Sequence, residues 1–304
     1  MPGYQSQGPV DCTITVDSSK VKGKTAIVTG GANGIGEAYT RALAAAGVYI
    51  TIGDLDESST EKLTSEFPKQ IHFVKCNVTN WDDQTRLFRE AESFSPTHQI
   101  HYVVANAGII RKDEVFEFGE PTEPELSTID VNIKGTLYTV KLAMHYFIKQ
   151  NGIVPGPEQH DTCLVLIGSG AGIHDCLRIP QYSATKWAAR GIMHSLRRTS
   201  HFYGSRVNVI HPWYVKTKIL SEEVFEEVKA KGVEFATVED AGQCLLRILS
   251  DESINGRSLF IAARKWASTG YMDLDLEDTE ENELRKEIQF DQMRGNPVED
   301  GLIV

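Results

Sequence analysis

The chain has 304 residues, 41% of them apolar, with a formal net charge of −11, which is enough to bury a substantial core in one domain. The negative balance, with no basic cluster, excludes a nucleic-acid face, and no apolar run approaches the roughly 20 residues of a membrane span. Cys12, Cys76, Cys163, Cys176 and Cys244 are scattered without a C-x-x-C, so neither a zinc site nor a disulfide framework is expected. No signal-peptide pattern precedes the fold, and Leu302-Ile303-Val304 is no peroxisomal address, which makes a cytoplasmic location the expectation.

Residues 1–20 are polar and Ser-rich and read as a loose arm or an edge packing over the fold. Thr25 to Thr29 reads as a buried strand that runs into Gly30-Gly31-Ala32-Asn33-Gly34-Ile35-Gly36. A helix is expected from Glu37 to the Gly47 stop, then a second strand from Val48 to Ile52. Strand, glycine turn, helix and strand make a βαβ unit, in which Gly30, Gly34 and Gly36 let backbone approach a pyrophosphate at the positive end of the helix. The spacing is G-x-x-x-G-x-G rather than G-x-G-x-x-G, so the flanking elements carry the argument. Asp54 stands eighteen residues after Gly36, where a carboxylate can accept from ribose hydroxyls. The turn from Gly30 to Gly36 holds no Arg or Lys to neutralise a 2′-phosphate, which favours NAD. The alternative is that Asp54 only starts the next turn and caps a helix.

Further along, Ser169 ends an apolar strand-like run, and Tyr182 and Lys186 follow in Tyr182-Ser183-Ala184-Thr185-Lys186. Side chains at i and i+4 share one helix face. An ammonium beside a phenol lowers its pKa and lets it exchange a proton with an alcohol or carbonyl. By itself the pair also fits an ordinary amphipathic helix with a solvated lysine and a packed tyrosine.

With these motifs in place, residues 21–268 resemble the short-chain dehydrogenase/reductase family. Thr29-Gly30 with Gly34 and Gly36 is similar to its cofactor turn, and Asn106-Ala107-Gly108 after Tyr102-Val103-Val104 to its central-strand motif. Asn132, Ser169, Tyr182 and Lys186 match its catalytic tetrad. The resemblance implies an α/β fold, a Rossmann-type doubly wound parallel sheet with helices on both faces in a single domain. It implies Tyr182 as general acid/base, Lys186 as the residue that depresses its pKa and bonds the nicotinamide ribose, and Ser169 as the hydrogen-bond partner of the substrate oxygen. Asn132 would hold a water that links Lys186 to solvent. Asn33 and Ile35 belong to the cofactor turn; Asn77 and Val78 would face adenine, and the Val215 backbone and Thr217 would grip the carboxamide. Asn77 stands where an aspartate is usual, and Trp213 follows Pro212 where glycine is common.

Substrate contacts are expected from Gly170–Gln181 and from 213–235, with Ile173, Leu177, Ile179, Trp213 and Tyr214 lining a pocket for a bulky, poorly charged molecule. Ile219 and Leu220 could join them, and Val224-Phe225 could ride on a lid helix. Residues 269–304 form an acidic tail: from Met272 to Val304 there are eleven acidic and three basic residues. Leu284, Ile288 and Phe290 recur at near-helical spacing there, so the tail is either solvated or carries a short helix that docks on the body or on a second subunit. Taken together, the expectation is an NAD-dependent enzyme that oxidises a secondary alcohol, similar to fungal members acting on polyketide alcohols and to 15-hydroxyprostaglandin dehydrogenase-like members. Its partners would be a small-molecule substrate and further copies of itself, as a homodimer or homotetramer. A ketone or imine reductase is the alternative within enzymes, and a redox-silent cyclase or nucleotide-binding regulator the alternative outside redox chemistry.

Overall fold

The computed structural model describes residues 4, 8–111, 115–116, 118–278 and 283–295. Eight strands, β1 (Thr25–Thr29), β2 (Tyr49–Asp54), β3 (Ile71–Lys75), β4 (Tyr102–Ala105), β5 (Thr162–Ile167), β6 (Ser205–Pro212), β7 (Ser258–Ile261) and β8 (Tyr271–Asp273), form one sheet in the order β3-β2-β1-β4-β5-β6-β7-β8. Pairing is parallel throughout except between β7 and β8. Chain order reverses between β1 and β4, and in such sheets ligands bind outside the carboxyl ends of the strands at that switch point.

The connecting helices are α1 (Gly34–Ala45), α2 (Glu61–Glu66), α3 (Trp81–Phe94), α4 (Thr136–Asn151), α5 (Pro180–Leu196), α6 (Glu222–Ala230), α7 (Val238–Leu249) and α8 (Glu283–Gly295). Strand side chains alternate between faces, so Ala26 and Val28 enter one core with Tyr39, Leu43 and Leu245 of α1 and α7. Ile27 enters the other with Leu87, Phe88, Val140 and Met193 of α3, α4 and α5. Covered on both sides, the central strands read as unbroken apolar runs. Each fully buried Val or Leu contributes about 1.5–3 kcal/mol. Side-chain oxygens cap three helix starts, Asn80 to the Asp83 amide, Ser221 to Val224 and Thr237 to Asp240, each contributing about 1 kcal/mol. The expected second strand, Val48 to Ile52, runs from Tyr49 to Asp54 and so carries Asp54 to the rim of the sheet.

Residues 8–20 and 269–278 pack against the body, the first as an edge over the fold rather than a loose arm. Cys12 lies in the core with Val10 and Val16 against it, and the Tyr4 hydroxyl donates to both carboxylate oxygens of Asp278 at 2.7 and 2.8 Å. The segment after residue 268 supplies β8 and then a strap, Asp275 to Asp278. There Arg257 bonds Asp273, Asp275 and Asp278, and the Glu277 side chain is fully buried. The fold therefore continues through residue 278, because acidic residues that look solvated in sequence find buried arginines. α8 has no buried residue, and Leu284, Ile288 and Phe290 are exposed, so no docking to the body is present. Among the described residues no helix is long and apolar enough to cross a membrane, and no cluster of His, Cys, Asp or Glu could hold a metal ion.

Candidate active site

At the switch point a cleft of about 760 Å³ opens between the glycine turn, Asn106–Arg111, Ser169–Ile179 and the loop after β6. Gly36 packs so tightly beneath the turn that a Cβ there would lie 1.9 Å from the Gly30 carbonyl oxygen. Gly34 adopts φ +57, the left-handed region that favours glycine. The first amides of α1 have no intrahelical partner and face this cleft, as an anion site requires. Asp54 accepts from the Ala32 amide at 3.0 Å and from Leu55 and Asp56 at 2.7 and 3.1 Å. It thus ties β2 to the turn and also lines the cleft. Asn106 is a brace: its NH2 group donates to the Thr29 and Gly30 carbonyls at 3.0 and 2.8 Å, so it shapes the turn rather than offering its amide to a ligand. Asn77 commits its carbonyl oxygen to Thr79, leaving its NH2 as the end available to the cleft. Val78 lies buried at the wall, and Ala107, Gly108 and Ile35 line it.

Ser169, Tyr182 and Lys186 converge on the same cleft. Proline at the start of α5 presets its first turn, and Tyr182 and Lys186 then fall on one face. The Lys186 ammonium is buried, donates to the Ile167 carbonyl at 3.0 Å, and is lowered by that burial to about 8. Tyr182 departs from expectation. Burial raises its pKa and a hydrogen bond with Ser169 pulls it partly back. The Lys186 ammonium stands over the ring, 5.4 Å from the centroid. Asn132 is held by protein partners. It sits in a π-turn, Asp130–Gly135, and its side chain accepts from the Ile109 amide at 2.8 Å. Its NH2 group donates to the Ile109 carbonyl at 2.8 Å and to Thr185 Oγ1 at 3.1 Å. This clamps the strand-end loop to α5 and uses both hydrogens of the side-chain amide.

On the substrate side Leu177, Ile179, Trp213 and Tyr214 line the cleft, whereas Ile173 does not. A 3-10 turn over Gly170–Gly172, closed by the Ile173 amide on the Gly170 carbonyl at 3.2 Å, turns Ile173 out of the wall. The Trp213 indole N–H donates to the Glu234 carbonyl at 3.1 Å. The ring packs on Tyr214, Trp266 and Phe260, and a Cβ at Gly170 would stand 3.3 Å from it. The indole therefore floors the space behind Ser169 and anchors the loop at once. Val215 bridges Ala236, and Thr217 lies 3.1 Å from where a Gly34 Cβ would be, which closes this loop over the glycine turn.

Residues 24–227 match the family model described as short chain dehydrogenase. The chain belongs to the short-chain dehydrogenase family. It is an oxidoreductase fold of the kind that uses a nicotinamide cofactor. The 5′-hydroxyaverantin dehydrogenase of Dothistroma septosporum is 33% identical over 268 residues, covering 81% of this chain and 86% of that protein. The same-named enzyme of Emericella nidulans is 30% identical, over 89% and 92% of the two chains. A protein of Phoma sp. named as an NADP-dependent dehydrogenase is 30% identical, over 86% and 81%. Among solved structures, a short-chain type dehydrogenase/reductase from Mycobacterium marinum aligns with TM-score 0.72 at 18% identity, over 83% of this chain and 98% of its own; at that identity the likeness concerns the fold.

The short-chain dehydrogenase cleft also contains groups the sequence reading passed over. Ile109, Ile110 and Arg111 line it directly after the Asn106-Ala107-Gly108 motif, and Val131 precedes Asn132; their adjacency to those motifs was a usable signal. Lys218 is the more consequential omission. Its ammonium donates to Asn33 Oδ1 at 2.9 Å, bringing a cation to the glycine turn from 185 residues away.

Proposed function

We propose that this short-chain dehydrogenase oxidises a secondary alcohol to a ketone on a medium-sized, largely apolar molecule, using NAD. The observation that carries the reading is the convergence of Ser169, Tyr182 and Lys186 on a cleft whose other end is the α1 amino terminus. The fit to a dinucleotide rests on the missing Cβ atoms at Gly34 and Gly36 and on the helix amides behind them. A nicotinamide cofactor bound there supplies the hydride acceptor.

The protein's own groups handle the proton and the charge. Tyr182 Oη takes the hydroxyl proton from the substrate once the phenol has passed its own proton to solvent through the cleft, and Ser169 Oγ donates to the oxygen that carries the developing charge. Lys186, desolvated and anchored on the Ile167 carbonyl, gives the cleft a cation beside the phenol ring. Asn132 keeps the loop at Ile109 and the helix with Tyr182 in one geometry. Leu177, Ile179, Trp213 and Tyr214 supply apolar walls, consistent with a bulky alcohol, and two relatives are named as 5′-hydroxyaverantin dehydrogenases.

Asp54 supports NAD, because a 2′-phosphate would meet its carboxylate. Lys218 beside Asn33 favours a second reading, use of NADP by a ketone or imine reductase; the relative from Phoma is named as NADP-dependent. Intact Ser169, Tyr182 and Lys186 weigh against a redox-silent regulator. Self-association as a dimer or tetramer and a cytoplasmic location complete the proposal. Following NADH and NADPH absorbance over a panel of secondary alcohols, including aromatic polyketides, and their ketones tests it. Turnover with NAD on a bulky alcohol is the expected result, and no turnover with either cofactor across the panel would sink the redox reading.

A further inference from the structure

A buried glutamine outside the cleft joins its cofactor end to the helix that carries Tyr182. Gln84, in the first turn of α3, has no exposed surface and does not line the cleft. Its Nε2 lies 2.6 Å from the Val78 carbonyl oxygen and 2.8 Å from that of Gly135. Backbone carbonyl oxygens only accept, so the NH2 end of the amide is fixed on them. Oε1 then faces Thr139, whose hydroxyl donates to it at 2.8 Å.

The two carbonyls belong to different parts of the site. Val78 lines the cofactor end of the cleft. Gly135 closes the π-turn Asp130–Gly135, a local widening of the helix that recurs at functional sites. Only glycine allows the approach, since a Cβ there would stand 2.8 Å from Val78 Cγ2. Asn132, in the middle of the turn, accepts from the Ile109 amide and donates to the Ile109 carbonyl and, at 3.1 Å, to Thr185 Oγ1. Thr185 in turn donates its one proton to the Tyr182 carbonyl at 2.7 Å. A path of side-chain hydrogen bonds and π-turn backbone therefore leads from Val78 to the backbone of Tyr182.

Without the NH2 group, two buried carbonyl oxygens would face each other with no donor between them, and an unpaired buried acceptor carries its full desolvation cost. The turn at Val78 and the π-turn would part. Asn132 and Thr185 would move with the π-turn.

We propose that Gln84 is a positioning residue, which fixes the π-turn against Val78 and so sets where Asn132 and Thr185 hold Tyr182. The inference rests on the reading of Tyr182 as the group that exchanges the substrate proton.

The test pairs kinetics with NMR. Gln84→Met keeps the length of the side chain and removes both hydrogens. It should lower kcat about ten-fold, within the ~10²-fold that a small misplacement can cost, while KM for the alcohol stays within about two-fold. Thr185→Val cuts the path further along, so the double variant should lose no more than the larger single loss; a separate structural effect of Gln84 would make the losses multiply. Gln84→Glu is the conservative rescue, because a protonated carboxyl keeps one donor for the two carbonyls. Its kcat relative to wild type should be near normal at about pH 6 and fall toward about pH 9, the range to which burial can lift a carboxyl. In the cofactor-free protein the side-chain NH2 signals of Asn132, assigned by their loss in Asn132→Asp, should shift in Gln84→Met, and in Gln84→Glu as pH rises. Multiplying losses, a flat activity ratio for Gln84→Glu, or unmoved Asn132 signals overturns the inference. If Gln84→Met does not fold, the two Gln84→Glu readings decide alone. The NMR readings need no substrate and so stand apart from the functional reading, which instead fails if Tyr182→Phe retains full turnover.

Discussion

The cofactor end of the cleft is made of contiguous backbone, whereas the substrate end is made of side chains brought together from loops far apart in sequence. At the first end, residues 29 to 36 form one turn, and the decisive feature is missing volume: no Cβ at Gly36, where one would collide with the Gly30 carbonyl. At the second, Ile110, Leu177, Trp213 and Val224 meet from four segments, and several are exposed, Leu177 by 83%. A backbone-built site tolerates almost no substitution and is written in a local pattern. A side-chain-built site tolerates exchange, and its shape is decided by packing. Ser169, Tyr182 and Lys186 stand between the two, local in spacing but set in place by partners from elsewhere.

The largest effect should follow Gly36→Ala. The added methyl cannot fit beside Gly30, so the turn must part from α1, with loss of measurable dinucleotide binding by calorimetry and about 3 kcal/mol of stability. Normal binding by this variant would break the comparison at its root. Next is Tyr182→Phe, expected to cut turnover by about 10²- to 10⁴-fold, the range for a positioned acid/base, while cofactor titrations stay near normal.

A pH experiment sharpens the middle ground. The Lys186 pKa is depressed to about 8 by burial from its ordinary value near 10.5. The unfolded chain therefore binds more protons than the folded one between these values, and stability should rise as pH climbs from 8 to 10.5. The rise should be up to about 3 kcal/mol for the cofactor-free protein. Urea unfolding of wild type and Lys186→Met across that window isolates the term, since other titrating groups are shared. Equal slopes for the two proteins would mean that Lys186 is hydrated.

Cofactor choice comes next in size. Asp54→Ala should narrow the preference for NAD over NADP by about ten-fold, a modest remnant of the roughly 4 kcal/mol that opposed unit charges 4 Å apart carry at an effective dielectric near 20. Lys218→Ala should weaken NADP more than NAD. If Lys218→Ala leaves both affinities alone, the cation brought to Asn33 is only a surface contact. The smallest effect belongs to Leu177→Ala, expected to change the ratio of kcat/KM for a bulky and a small alcohol by about 1 kcal/mol with the melting temperature unchanged. Parallel losses on both alcohols would place Leu177 outside the pocket.

Much of this was legible from short stretches of chain. The strand from Thr25 to Thr29 and the spacing of Tyr182 and Lys186 depend on residue types within one or two turns of backbone, and the structure keeps them. The acidic stretch after residue 268 reads in sequence as a solvated tail or as one with a short docking helix, because nothing near it in sequence neutralises it. Its partners, Arg190, Arg197 and Arg257, lie on α5, at its C-terminal end and just before β7. Ile173 shows the opposite error, an apolar residue in the right segment turned out of the wall by a single 3-10 turn.

Sequence alone determined the order of elements, the alternation that buries both faces of the sheet, and which residues meet in the cleft as the groups proposed to move a proton or admit a pyrophosphate. These follow from local sterics and from hydrophobic periods of two and near four, which act over a few residues. Tertiary structure alone decided that Asn132 and Asn106 brace the backbone, that Lys218 reaches the glycine turn, and that Glu277 is buried against Arg190 and His194. Those outcomes depend on which hydrogen-bond partner and which charge arrive from a distant strand or helix, and the free energy of a buried polar group is set by that arrival.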